Sequence, residues 1–251
     1  MSSATGARMQ ATPIADGGTP VELWTGWDHC FAPWSIAGCP GMTIVAPHPD
    51  DETLGLGGTL AMLRAAGIDV QVVSVSDGGA AHPGLTAEGR ARLETVRRAE
   101  LRRALTLLGA RDPIRLGMPD GELHLHERQI TERITALLAP FPAGRWCAAT
   151  WRGDGHPDHE AVGRATAVAA AGSGARFVEY PVWMWHWARP GDSAVPWGRA
   201  RRATLTDEAR TLKRLAVQSF SSQTQPRSDG GAVLPPAVVH RLLTVGEVVF
   251  V

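Results

Sequence analysis

The chain is expected to adopt an α/β fold: a Rossmann-like, doubly wound and mostly parallel sheet with helices on both faces and a less regular C-terminal third. Three observations predict it. Short apolar runs such as MTIVA (42–46), VQVVSVS (70–76) and WCAAT (146–150) show little alternation with polar residues, as strands covered on both faces do. Helical patterns of 10 to 20 residues separate these runs, the spacing of βαβ units. Two of the runs also end in a His-Pro-Asp segment just before a helical pattern, on the sheet edge where doubly wound folds place their sites.

Residues 1–20 are small and polar with interspersed glycine and proline, and are expected to be a disordered tail without an apolar core of signal-peptide length. Residues 21–40 carry Trp24, Trp27 and Trp34 at no clean period and are read as an ordered decoration. A single domain then covers 41–251, with its core over about 41–180. Its first strand is 42–46, its first helix 52–66 and its second strand 70–76. Leu93, Val96, Leu101, Leu105 and Leu108 recur at helical spacing, so a long helix spans about 87–108 and stops at Gly109. PIRLG (113–117) is a short strand, 127–139 a helix, 146–150 a buried strand and 159–171 a helix before ARFVEYPVW (175–183). Beyond Pro181 come RRATLTD (201–207), a helix over 207–218, a loop rich in Ser, Gln, Pro and Gly (221–231) and a closing strand GEVVFV. Trp183, Trp185 and Trp187 alternate, which predicts one core-facing side of a strand, with an aromatic substrate wall as the alternative. His186 then points to the opposite side.

Composition narrows the function. Lys plus Arg and Asp plus Glu are each 25, which argues against a nucleic-acid or anionic-membrane surface. Lys213, the one lysine, lies in a charged helical pattern, so neither a Walker-type phosphate loop nor a Schiff-base lysine is expected. Cys30, Cys39 and Cys147 have no CxxC spacing and suggest neither a disulfide framework nor a structural zinc site. No apolar run approaches the ~18 residues of a membrane span, and a cytoplasmic location is expected. GLGG (55–58) lacks the GxGxxG spacing of a dinucleotide turn. Oligomeric state is not legible.

His48 to Glu52 reads HPDDE, more charge than a helix cap requires. Three acids in a first helical turn also suit the helix dipole, so on its own the segment is ambiguous. HPDHE at 156–160 stands at the equivalent turn after another strand. Two such turns can meet in one crevice, where His48, Asp51 and His159 form a His₂Asp set suited to Zn²⁺ with one position open. Asp50 and His156 would flank that position.

PHPDDETLG together with GHPDHEAVG resembles the PIG-L/LmbE family of zinc-dependent N-deacetylases, as do SDGGA (76–80), RRAELRRALTLLG (97–109) and LGMPDGEL (116–123). The resemblance covers roughly residues 41–180. It implies His48, Asp51 and His159 as metal ligands and Asp50 as general base. It also implies His156 as the group that stabilises the oxyanion and protonates the departing amine, with Asp158 orienting His156. Asp120 matches a position that contacts the sugar, and its plain alternative is an Asp-Gly turn. The family's tyrosine in the loop before the second motif is absent: Trp151 and Arg152 stand there, which puts any role for a phenol in doubt. Asp77, at a strand end on the same edge, either lines the site or turns the chain, and Arg97 or Arg98 either reaches an anionic substrate group or belongs to a solvated helix face, so all three are set aside as site residues.

The resulting expectation is a zinc-dependent hydrolase that removes an N-acyl group from an amino sugar or sugar-containing small molecule. The alternatives are an amidase for a non-sugar or thiol-conjugate amide, and an inactive metal-binding scaffold. His124 and His126, and His29 beside Cys30, offer two ligands each and are set aside as sites.

Overall fold

The computed structural model of the protein describes residue 8, residues 11–226 and residues 230–251. Numbered in chain order, its strands are β1 (Ala32–Trp34), β2 (Met42–Ala46), β3 (Val70–Ser76), β4 (Ile114–Met118), β5 (Trp146–Thr150), β6 (Arg176–Tyr180), β7 (Ala200–Ala203) and β8 (Val248–Phe250). Its helices are α1 (Val21–Thr25), α2 (Asp51–Ala65), α3 (Ala87–Leu107), α4 (Glu127–Leu138), α5 (Pro157–Ser173), α6 (Met184–Trp187), α7 (Asp207–Val217), α8 (Ser221–Thr224) and α9 (Pro236–Val245). No helix among the described residues is long and apolar enough to cross a membrane.

The strands form one sheet in the order β1-β7-β8-β6-β5-β2-β3-β4. From β4 through β6 all pairings are parallel, and β8 is antiparallel to both β6 and β7. Adjacent residues of β2 serve opposite faces: Ile44 packs in a core with Leu54, Leu60 and Leu63 of α2 and Leu101 and Leu105 of α3. Val45 packs in a second core with Ile130 and Ile134 of α4 and Ala161 and Ala165 of α5. This two-sided burial is why the strand runs lacked polar alternation.

β2 lies beside β5 in parallel register, Val45 opposite Ala149, so the chain leaves both strands at one edge. From there α2 turns onto one face and α5 onto the other, and the crevice between them is the switch point of the sheet. Glycines let α2 approach closely: a Cβ on Gly55 would lie 2.2 Å from the Tyr180 ring, and α2 kinks at Leu56.

Two expectations are corrected. Of the stretch read as a disordered tail, residues 1–7, 9 and 10 lie outside the described residues, but 11–20 pack on the domain. Thr19 is buried, its N–H donating to the carbonyl of His186 (2.8 Å) and its Oγ1 to that of Ala188 (2.6 Å). Short polar residues mimic a tail in composition, yet Gly18 at φ +66° fits against the His186 ring where any Cβ would collide. The tryptophan repeat is also not a strand: Trp183 sits in a turn and Met184–Trp187 is a short helix. One buried carboxylate, Asp154, accepts the N–H groups of Val182, Trp183 and Met184, and consecutive N–H groups converge on one point only when the backbone leaves the extended state.

The 21–40 segment supplies Trp24 and Trp34 to the core, and β1 pairs with β7 to form one end of the sheet. All three cysteines are free, and Cys147 is buried, which pushes its thiol up to about 12. Of the loop expected over 221–231, residues 221–224 are helical and 227–229 lie outside the described residues.

Candidate active site

The two His-Pro-Asp turns meet. His48 leaves β2 and Asp51 opens α2, while His156 caps α5 and His159 lies in its first turn. Asp50 has φ +143°, the only positive value outside glycine among the described residues. Such backbone costs about 1–3 kcal/mol and persists where the surroundings dictate it. The Asp50 carboxylate lies against the cavity and accepts from Arg97 at 3.0 Å.

His48, Asp51 and His159 present ligand atoms that all lie within 4.8 Å of one another. The His159 Nδ1 is held by the fully buried carboxylate of Asp154 at 2.8 Å. Its other nitrogen, Nε2, is buried without a hydrogen-bond partner and faces Asp51 Oδ2 at 3.3 Å. With the proton on Nδ1, Nε2 and the Asp51 oxygen can both offer lone pairs to a cation between them, a place that a proton on Nε2 otherwise takes. The donor set therefore fits a metal such as zinc. His48, His156 and Asp158 are also close enough to share an ion. The Asp158 carboxylate is already taken up by the N–H groups of Gly121 (2.8 Å) and Leu123 (3.0 Å), which favours the first set.

Electrostatics follow from burial and crowding. Burial opposes charge on His48, yet Asp120, Asp158 and Asp51 around its ring raise its pKa well above the usual value. Burial likewise opposes ionisation of Asp51, but His159 and His48 hold its carboxyl far below the ordinary range. His159 rises to about 9, since burial is outweighed by Asp51 and Asp154. Burial lifts Asp50 to about 7 against the pull of Arg97, the range in which a carboxylate serves as a base near neutrality. His156 falls to about 3, through burial and then the neighbouring His159 and His48. A neutral His156 whose Nδ1 accepts the Asp158 N–H (3.2 Å) carries its proton on Nε2.

Several expectations change at this level. Asp158 does not reach His156 with its carboxylate; it clamps the 119–123 turn and contacts His48 Nε2 at 3.3 Å. Asp120 lines the cavity, but one oxygen contacts His48 (3.0 Å) and the other accepts from Ala80 (2.7 Å). Glu52 is fully buried, and burial raises it to about 8, so its neutral form predominates at neutral pH and it offers little charge to the helix dipole. Arg97 is not solvated: it is 3% exposed and also donates to the carbonyls of Gly78 and Pro49. Asp77 pairs with Arg98 and Arg115 instead of lining the cavity.

Trp151 is buried against Trp187 and Phe250, Arg152 pairs with Glu179, and the sole tyrosine, Tyr180, donates to the carbonyl of Val45. No phenol lines the cavity. Asp154 and Arg97 were missed. A carboxylate two residues before the second motif was a usable signal for Asp154, whereas nothing in the helical pattern distinguished Arg97 from Arg98.

Comparison with known proteins agrees with this geometry. The family model for GlcNAc-PI de-N-acetylase, PIG-L, matches residues 43–170, which include both motifs and every residue of the clustered set. The chain belongs to the PIG-L family. Diacetylchitobiose deacetylase of Thermococcus kodakarensis is 32% identical over 120 residues, 47% of this chain and 45% of that protein. The 1D-myo-inositol 2-acetamido-2-deoxy-alpha-D-glucopyranoside deacetylase of Mycobacterium avium is 33% identical over 155 residues, 49% of each chain. This PIG-L chain thus spans about half the length of these curated relatives. Among solved structures, the A40926 pseudoaglycone deacetylase superposes with a TM-score of 0.61 at 25% identity, covering 84% of this chain and 96% of that one.

Proposed function

We propose that the protein is a zinc-dependent hydrolase that removes an N-acyl group, acetyl in the simplest case, from an amino sugar or sugar-containing small molecule in the cytoplasm. The observation that carries this reading is the convergence of His48, Asp51 and His159 with Asp50 and His156 in one cavity. The names of its relatives, deacetylases of amino sugars, support the substrate class. Three free cysteines fit a reducing compartment.

His48, Asp51 and His159 would hold the metal, with Asp154 fixing the His159 ring. A bound Zn²⁺ supplies Lewis acidity, polarising a carbonyl and easing the deprotonation of water. Asp50, ionisable near neutrality and oriented by Arg97, takes the proton from the attacking water. His156 offers an Nε2–H to the oxygen that gains charge as the amide carbonyl is attacked. The departing nitrogen then needs a proton, and Asp50 delivers the one it took from water, while His156, held neutral by burial and its histidine neighbours, keeps its Nε2–H on the oxygen. Asp120 and Asp158 hold His48 from the other side and tie the 119–123 turn to α5.

The test is metal analysis with amine release. The purified chain should bind about one zinc and free the amine of N-acetylglucosamine derivatives, with activity lost to a chelator and restored by zinc. A chain that binds no zinc and releases no amine would refute the proposal.

A further inference from the structure

The cavity over the metal-ligand cluster measures about 250 Å³, at the small end for ligand pockets. Its floor is polar and its walls are not. Ile14, Leu54, Val182, Trp183, Val233 and Leu234 form the walls, drawn from the N-terminal segment, α2, the turn before α6 and the approach to α9. We infer that the substrate carries an apolar group beside the scissile amide, either an acyl chain longer than acetyl or an alkyl or aryl substituent on the amino sugar. This rests on the deacylase reading above.

The polar groups of the floor have little capacity left. Each oxygen of Asp120 already holds one partner, and Arg97 gives its terminal nitrogens to Asp50 and two carbonyls while its Nε is buried away without a partner. What remains for a ligand is the second lone pair of each Asp120 oxygen, together with Asp50, the Nε2–H of His156 and the ligand set, which are needed at the amide itself. Gln223 is the neutral polar side chain on the wall, and its Nε2 already donates to Ser222 Oγ. A bare sugar desolvated in this space would leave the ring hydroxyls that face the apolar walls without partners, a loss that contact with carbon does not offset. An apolar group loses nothing by leaving water and meets the walls directly.

The walls are built, not incidental. Leu54, Val182, Trp183 and Leu234 belong to the main hydrophobic core, and Ile14 packs against it. Glu100, fully buried one turn beyond Arg97, accepts from Ser221 Oγ and from the N–H and Oγ of Ser222. That pins α8, and the Gln223 carbonyl in turn holds the Leu234 N–H at 2.9 Å. On the other side His186 Nε2 donates to the Thr12 carbonyl (3.1 Å), which docks the segment bearing Ile14. The residues that confine the substrate are therefore placed by α3 and α6, the elements that also orient Asp50 and, through Asp154, His159.

The zinc-loaded full chain tests this with two substrate series. One series is glucosamine acylated with acetyl, butanoyl or hexanoyl; the other is free N-acetylglucosamine against its octyl and phenyl β-glycosides. Expected is a rise in kcat/KM of roughly fourfold per methylene in whichever series meets the wall, from the burial of each CH₂. The responding series shows whether the apolar group is on the acyl or the sugar side. Leu234→Ser and, separately, Ile14→Asn should each lower the preference for the longer member over the shorter. Turnover in which free N-acetylglucosamine is the best substrate overturns the inference and leaves the deacylase reading intact. Absence of turnover on every member overturns both, and a preference unmoved by either variant overturns the role of these walls.

Discussion

Replacing Asp154 by asparagine keeps the side chain's size and converts one acceptor into a donor. In the native chain Oδ1 accepts from the N–H groups of Val182 and Met184, both at 2.9 Å. Oδ2 accepts from Trp183 N–H at 3.0 Å and holds His159 Nδ1 at 2.8 Å. An asparagine can serve the first pair through its oxygen, but its NH₂ then faces two donors. His159 recovers a hydrogen bond only by moving its proton to Nε2, the nitrogen that faces Asp51. A protonated Nε2 cannot ligate a cation. Loss of such an orienting carboxylate costs about 10–100-fold in metal affinity, or about 1.4–2.7 kcal/mol. The stranded Trp183 N–H adds about 1–3 kcal/mol of lost stability, so the melting temperature of the metal-free chain should fall by roughly 2–12 °C. Zinc affinity by chelator competition, with melts in the presence and absence of zinc, separates the two effects. Unchanged zinc affinity in Asp154→Asn, with or without a lower melting temperature, would refute the reasoning, since Asp154 would then only shape the turn before α6.

Asp50→Asn should reduce kcat by roughly 10²–10⁴-fold, the usual worth of a general base, while zinc content is retained; activity and metal analysis on one preparation check it. Gly55→Ala places a Cβ 2.2 Å from the Tyr180 ring, and a clash in a packed core costs about 1–3 kcal/mol, measurable by urea unfolding. Removing zinc with a chelator should lower the melting temperature, because the ion binds the folded site and not the unfolded chain. Acid should loosen the N-terminal segment. Burial, and then the guanidinium of Arg241, hold the pKa of His186 below its usual value, with Asp16 acting weakly the other way. A base whose folded pKa is depressed gives stability that is present above the unfolded pKa of about 6.5 and is lost as pH falls below it. The protection factors of residues 11–20, exchange rates corrected for their intrinsic pH dependence, should therefore fall between about pH 7.5 and about pH 5, and protection independent of pH would count against His186 as the anchor.

Much of the fold was legible because local pattern and global architecture agree. The strand runs at 42–46, 70–76 and 146–150 coincide with β2, β3 and β5, since strands buried on both faces have no polar side to obscure. The long helix after residue 87 was legible from its apolar stripe and Gly109. The tryptophan repeat misled because alternation is a strand signal only if the backbone's N–H groups are free to pair along a sheet. Asp154, nearly 30 residues earlier, had gathered them. The segment before residue 20 misled because composition reports the cost of ordering a chain but not a partner such as His186 that offsets it.

The candidate site divides in the same way. The sequence by itself determined the donor types and their order: His48, Asp50 and Asp51 after one strand, His156 and His159 after another. Residues that touch across a turn leave a local signature, and these do. Only the tertiary structure decided that β2 and β5 are neighbours, so that the two turns face each other. It also decided that Arg97 rather than Arg98 reaches Asp50, that Asp158 clamps the 119–123 turn, and that Asp154 sets the His159 ring. Those pairings depend on the rotation of helices about the sheet and on which N–H groups converge in space. Such long-range geometry is fixed by packing, and residue spacing along the chain does not carry it.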